Sequence, residues 1–167
     1  MNRPQPEECP EWALNYIKHV QGDLIELLVQ QAETWPEQLE SMQELADYAY
    51  APGKWTVKEM AGHVIDTERI LVYRLTAFAR AEKAALPGFE EDDYVKNARF
   101  KERTLQSLGE EFALLRKANL YLFRSLNEQE LDRIGSASGR QISVRAILHV
   151  LAGHVAHHSQ ILKERYL

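Results

Sequence analysis

Only one cysteine, Cys9, occurs in the 167 residues, which excludes an internal disulfide and a cysteine-based zinc finger. Glu7, Glu8 and Glu11 stand beside it and disfavour its thiolate, so Cys9 is a poor candidate nucleophile. Long apolar runs are missing too. None reaches the roughly 18 residues of a membrane span, and no apolar signal core follows Met1 to Pro6. The expected protein therefore has no membrane contact and is cytoplasmic. Positive charge is not in excess: 25 Asp and Glu outnumber 20 Lys and Arg, and no basic stripe stands out, so nucleic acid is not an expected partner. Sustained alternation of apolar and polar residues, the signature of strands, is absent as well.

What is present has helical spacing. With 45% hydrophobic and 27% charged residues, residues 1–167 are expected to form one domain with a real core. Glu11 to Val20 reads as a short helix with Trp12, Tyr16 and Val20 on one side, ended by Gly22. A first long helix starts at the N-cap Asp23 and carries Leu24, Leu27, Leu28, Gln31, Trp35, Leu39 and Met42, with Pro36 expected to kink or loosen it. A second opens on the capping box Thr56/Glu59 and buries Val57, Met60, Ala61, Val64, Glu68, Leu71, Leu75, Phe78 and Ala79. A third shows Leu105, Leu108, Phe112, Leu115, Asn119, Leu122 and Leu126. After a short helical turn near Asn127 to Arg133 and a flexible Gly135–Gly139 bend, a fourth runs from about Ser143 to the end. The fold class is all-α, a four-helix bundle.

Residues 83–100 show no sustained period and are expected to be a long solvated connection. Extended, it reaches at least about 50 Å, against roughly 40 Å for the second helix. It can run back along the bundle and start the third helix parallel to the second, a crossover topology.

Three of the six histidines fall within Gly153-His154-Val155-Ala156-His157-His158. On a helix His154 and His158 project about 40° apart, one turn above the other, a spacing with which two imidazoles can hold one transition-metal ion. Both lie in the core stripe of the fourth helix with Val144, Ile147, Leu151, Ile161, Leu162 and Arg165. His157 sits about 90° from the centre of that stripe, a candidate for proton transfer or a seam or surface residue, and His149 lies nearly opposite and should be solvated. A third ligand from another helix would be His63 or His19. In the crossover topology His63 falls at the level of His158, although periodicity alone leaves it equally suited to the surface. Glu68, a carboxylate on a buried stripe, needs an arginine or an imidazole as partner, and is either a structural ion pair or a supporting group of the site. Asn119 is a polar insertion of the same kind.

Taken together, Tyr50-Ala51-Pro52-Gly53-Lys54-Trp55-Thr56-Val57-Lys58-Glu59, His63 to Arg69, Leu86-Pro87-Gly88-Phe89, Gly153-His154 with His157-His158, and Leu162 to Leu167 resemble the DinB superfamily, in its YfiT-like branch. The resemblance covers nearly the whole chain. It implies a four-helix bundle of up-down-down-up connectivity and a divalent metal, zinc or nickel, held by His63, His154 and His158. It further implies either a thiol-dependent transferase using a low-molecular-weight thiol such as bacillithiol or mycothiol, or a metal-dependent hydrolase; homodimers occur in relatives. Val155 stands where relatives often carry Glu, which weakens the hydrolase analogy while leaving both ligands of the pair in place.

The expectation is a small-molecule enzyme in which a three-histidine metal centre activates a thiol, with His157 and Glu68 as candidate catalytic residues. The alternatives are hydrolysis by metal-activated water, assisted by Glu68 or a carboxylate from Glu90 to Asp93, and a metal-binding bundle without turnover. Phe89 and Tyr94 would shape the substrate mouth.

Overall fold

The computed structural model describes residues 1–167. Seven helices and one hairpin follow in order: α1 (Glu11–Ile17), α2 (Leu24–Glu40), α3 (Val57–Ala79), α4 (Glu91–Asn97), α5 (Leu105–Ser125), α6 (Glu128–Leu131), β1 (Ile134–Ala137), β2 (Arg140–Ser143) and α7 (Val144–Arg165). The four long ones, α2, α3, α5 and α7, form the bundle.

Their starts are set by side chains that satisfy first-turn amides. Asp23 accepts from the Ile25 and Glu26 amides. Thr56 and Glu59 form the reciprocal capping box, and Thr104 and Ser143 cap α5 and α7. Helix α2 continues through Pro36, the residue expected to kink or loosen it. Trp35 and Leu39 are fully buried on either side of the proline, and this packing holds the turn although the amide is missing.

Residue pairs between helices fix their directions. Gln31 meets Arg116 and Pro36 packs on Gly109, so α2 and α5 are antiparallel. Gln31 meets Ala152 and Gln38 meets Ser159, so α2 and α7 are parallel. Trp55 meets Tyr166 while His63 meets His154, so α3 and α7 are antiparallel. The bundle is up-down-down-up, with α3 and α5 parallel and the crossover between them, as the loop length and the resemblance implied.

The crossover is not featureless. It contains α4 and a 3-10 turn at Phe100–Glu102, and Val95 and Phe100 anchor it in the core. Nor is Gly135–Gly139 a flexible bend: β1 and β2 pair antiparallel around Ser138 and Gly139, whose φ values of 53° and 71° suit a two-residue hairpin turn. Leu86 exchanges backbone hydrogen bonds with Ser136 and Ser138, tying the crossover to the hairpin. Strands this short carry too little alternation to be read from sequence.

Two further corrections concern helix faces. In α5 the buried row is Leu105, Leu108, Phe112, Arg116, Leu120 and Phe123, so its second half is rotated from the expected Leu115, Asn119, Leu122 and Leu126. A fully buried arginine sets that rotation. In α7 every residue from Val144 to Val155 is buried, including His149, which was expected in solvent. The cause is α1, whose Ala13 and Ile17, rather than Trp12, face the core and cover the outer side of α7. His149 Nδ1 lies 2.9 Å from the Arg145 carbonyl, so its burial leaves that nitrogen bonded. Arg165, expected in the core stripe, is exposed.

Contact between α1 and α7 is close because residue 153 is glycine: a Cβ there would run into the Tyr16 carbonyl. Gly153→Ala should therefore push α1 outward and cost about 2 kcal/mol, lowering the thermal midpoint by roughly 5 °C in a circular-dichroism melt. An unchanged midpoint would contradict this packing.

Candidate metal centre

His63 enters from the second turn of α3, His154 and His158 from successive turns of α7. Each is buried, at 3%, 4% and 7% exposure. The His63 and His154 Nε2 atoms are 3.0 Å apart, and those of His154 and His158 are 3.1 Å apart. The three candidate ligand residues converge with one ring nitrogen each within 4.8 Å of the others. His19, the other candidate third ligand, is not among them. It packs instead against His157, ring centroids 5.4 Å apart.

An imidazole nitrogen has one in-plane position, either a hydrogen or a lone pair. His154 Nε2 therefore cannot make two good hydrogen bonds to its two neighbours at once. Three lone pairs turned on one cation remove the conflict, and tetrahedral zinc–nitrogen bonds of 2.0–2.1 Å would set ligand nitrogens about 3.3 Å apart, close to the spacing seen. The residues fit a divalent metal. Imidazole nitrogens suit zinc and nickel alike.

Surrounding groups hold the rings. Trp55 lies 4.6 Å from the His63 ring by centroids, and its indole donates to Asp92 Oδ1 at 3.0 Å, so α4 locks the wall of the site. Tyr16 of α1 packs edge-on to His154 at 5.3 Å. Thr67 Oγ1 is 3.5 Å from His63 Nδ1, a loose contact, and His158 Nδ1 is buried without a partner.

Two cavities flank the histidines. One of about 310 Å3 reaches His158 past Trp55, Met60 and Tyr166. Another of about 230 Å3 reaches His154 past Tyr16, Thr67 and Phe89. Glu91, at the start of α4, lines both. Burial and the neighbouring Asp92 and Glu90 push its carboxyl above the usual range.

The two candidate catalytic residues lie elsewhere around the centre. His157 is half-buried, its ring 5.2 Å from that of His158 and 5.4 Å from that of Tyr16. Glu68 points to the bundle axis, where Arg116 holds both its oxygens at 2.8 and 2.7 Å and Asn119 donates to it at 3.1 Å. Arginine was one of the two partners expected for it. Sequence reasoning did not single out Tyr16, Arg74 or Arg116 for the site region; each is a common residue at helical spacing with no distinguishing signal. Trp55 belonged to a quoted motif, but with no role at the site.

The sequence profile of the DinB superfamily matches residues 27–162. Among solved structures, the chain is similar to YfiT from Bacillus subtilis, described as a probable metal-dependent hydrolase with an unusual four-helix bundle topology. The two share 18% identity over 98% of this chain and 90% of that one, with a TM-score of 0.73. At that identity the likeness establishes the fold. No curated protein matches significantly. No helix is long and apolar enough to cross a membrane.

Burial lowers the pKa of His63 to about 4, only partly offset by Asp92. Burial, then the charges of the neighbouring histidines, depresses His154 and His158 well below the ordinary value. The unfolded chain takes up protons near the ordinary 6.5, so it binds more protons than the folded one between pH 6.5 and 4. The stability these neutral rings contribute is complete above 6.5 and is lost as pH falls, by about 3 kcal/mol for His63 alone at pH 4. Urea denaturation of chelator-treated protein should show a falling midpoint from pH 7.5 to 4.5; a flat profile would contradict buried neutral rings. Separately, Arg116→Met should cost about 4 kcal/mol by stranding Glu68, and the Glu68→Met/Arg116→Met double variant should recover at least half of it in the same assay.

Proposed function

The chain belongs to the DinB superfamily, and from that premise we propose that it is a metal-dependent enzyme of small molecules, with His63, His154 and His158 holding one zinc or nickel ion. A divalent ion in such a site supplies a Lewis acid and makes a small nucleophile available in its deprotonated form at neutral pH. The observation that carries the reading is the convergence of three buried, neutral imidazole nitrogens whose mutual hydrogen bonding cannot be satisfied without a cation. The reaction we assign is thiol transfer. The sulfur of a low-molecular-weight thiol bonds to an electrophilic carbon, the leaving group departs, and the thiol proton goes to Glu91 or to solvent.

Two features support a thiol over water. Position 155 is a buried valine, and Glu68 is fully engaged by Arg116 and Asn119, so neither offers a base close to the histidines. A thiol, more acidic than water, needs less assistance. In this reading Glu68 orders the bundle through Arg116, and His157 is the alternative proton carrier on the solvent side. Hydrolysis is the second reading, favoured by Glu91, whose raised pKa and position on both cavities suit a general base for water.

Untagged protein supplemented with zinc or nickel should carry about one ion per chain by elemental analysis, and His154→Ala should lose it. Free thiol should then disappear from a mixture of small thiols and a haloaromatic electrophile only with metal-loaded protein. Ester turnover without thiol, abolished by Glu91→Gln, would instead establish hydrolysis; absence of bound metal would end both readings.

A further inference from the structure

Three arginines are buried in this protein: Arg74, Arg116 and Arg145, at 6%, 0% and 5% exposure. Arg116 is paired with Glu68, and Arg145 with Glu8, Glu128 and Asp132. Arg74 has no carboxylate. Its Nη2 donates to the Pro87 carbonyl at 2.8 Å and to Ser138 Oγ at 3.1 Å, and its guanidinium lies 5.8 Å from the centre of the Phe89 ring. The Nε and Nη1 hydrogens have no acceptor in the protein, and neither atom is sealed from solvent. A cation largely withdrawn from water without a counter-charge is costly, because a buried charge is tolerated when it is paired.

Arg74 lines two cavities that share Phe89: one of about 300 Å3 with Arg69, Tyr73 and Tyr94, and one of about 230 Å3 that also includes His154, the one that joins it to the histidines. The second has room for about eight waters or a small organic molecule. Leu71, Phe89 and Val150 give its wall an apolar stretch. On α3, His63 and Arg74 lie eleven residues apart, about 16 Å of axial rise, so Arg74 and His154, whose ring packs on that of His63, line this cavity from different levels of the bundle. Glu91 lines the same space without forming an ion pair with Arg74.

We propose that Arg74 is the anchor for an anionic oxygen group on the substrate, which lays the apolar body of that molecule along the cavity with its reacting end at His154. The substrate class is a small acid, carboxylate or phosphate ester, with an apolar body. The assignment rests on reading this cavity as the substrate site. It also gives a role to Leu86-Pro87-Gly88-Phe89: Pro87 and the hairpin residue Ser138 fix one nitrogen of Arg74, Phe89 covers its face, and Gly88 packs against Ser138. Charge-assisted hydrogen bonds to the remaining hydrogens would need little reorganisation.

The test is calorimetric titration of chelator-treated and metal-loaded protein with phenylacetate, phenylacetamide and phenyl phosphate. Phenylacetate should bind at least about tenfold more tightly than the amide in both forms of the protein, and Arg74→Gln should abolish that preference with an unchanged fold. Tighter binding of phenyl phosphate than of phenylacetate sustains the assignment and makes a phosphoryl group the source of the anion. Equal binding of acid and amide overturns it, as does a preference retained in Arg74→Gln. A preference seen only with metal loaded places the carboxylate on the histidines and also overturns it. Where the variant does not fold, the acid–amide comparison on chelator-treated wild type decides. Because that arm holds no metal, loss of the metal-centre reading leaves this result intact.

Discussion

One polar network crosses the middle of this bundle, and the rest of the packing is arranged around it. Arg116 of α5 donates to Glu68 of α3 and to Gln31 of α2, and Gln31 donates to the Ala152 carbonyl of α7, so a single connected set touches all four long helices. The apolar core is split accordingly into one cluster of 22 residues and another of 16. Apolar side chains tolerate a small axial slide; a bidentate carboxylate–guanidinium pair that is 0% and 2% exposed does not. The network therefore acts as a register pin. Its energetic return is small, because desolvating the two charges offsets most of their attraction, but every alternative register leaves a charge stranded.

Register matters here because the candidate metal centre is divided between helices. His63 and the His154/His158 pair come from antiparallel α3 and α7, and a slide of one turn, about 5.4 Å, would separate nitrogens now 3.0 Å apart. Glu68 and His63 are five residues apart on α3, and Ala152, which receives Gln31, is two residues from His154. The pin thus sits within about two turns of the centre that it aligns. Peripheral elements then close the site. Helix α1 reaches across α7 at Gly153 and brings Tyr16 to His154, while α4 brings Asp92 to Trp55 and so to His63.

The surroundings of the histidines divide into regions of different charge. Glu91 and Asp92 lie on the α4 side, and Arg74, without a carboxylate partner, lines the His154 cavity from α3. An asymmetric molecule has one favourable orientation in such a field. The crossover and the hairpin build this asymmetry together, each incomplete without the other, since Arg74 is held by Pro87 from the first and Ser138 from the second.

Local chemistry was legible in the chain. Asp23, the Thr56/Glu59 pair and Ser143 name their helices because an N-cap is a matter of three or four neighbouring residues. The four-residue spacing of His154 and His158 fixed that both would meet on one face, and the length of the crossover allowed the parallel α3 and α5. What the chain could not specify alone were choices made between distant segments. A helical wheel assumes one buried face, so it assigned His149 to solvent; the covering of α7 by α1 was decided by the fold. It also assumes that the buried row is apolar, so it missed Arg116, whose place inside α5 depends on Glu68 forty-eight residues away. Likewise His63 was equally suited to core or surface until α7 lay against it. Spacing determines which residues share a face, and only the packed structure determines what that face meets, because burial and pairing are properties of two segments rather than one.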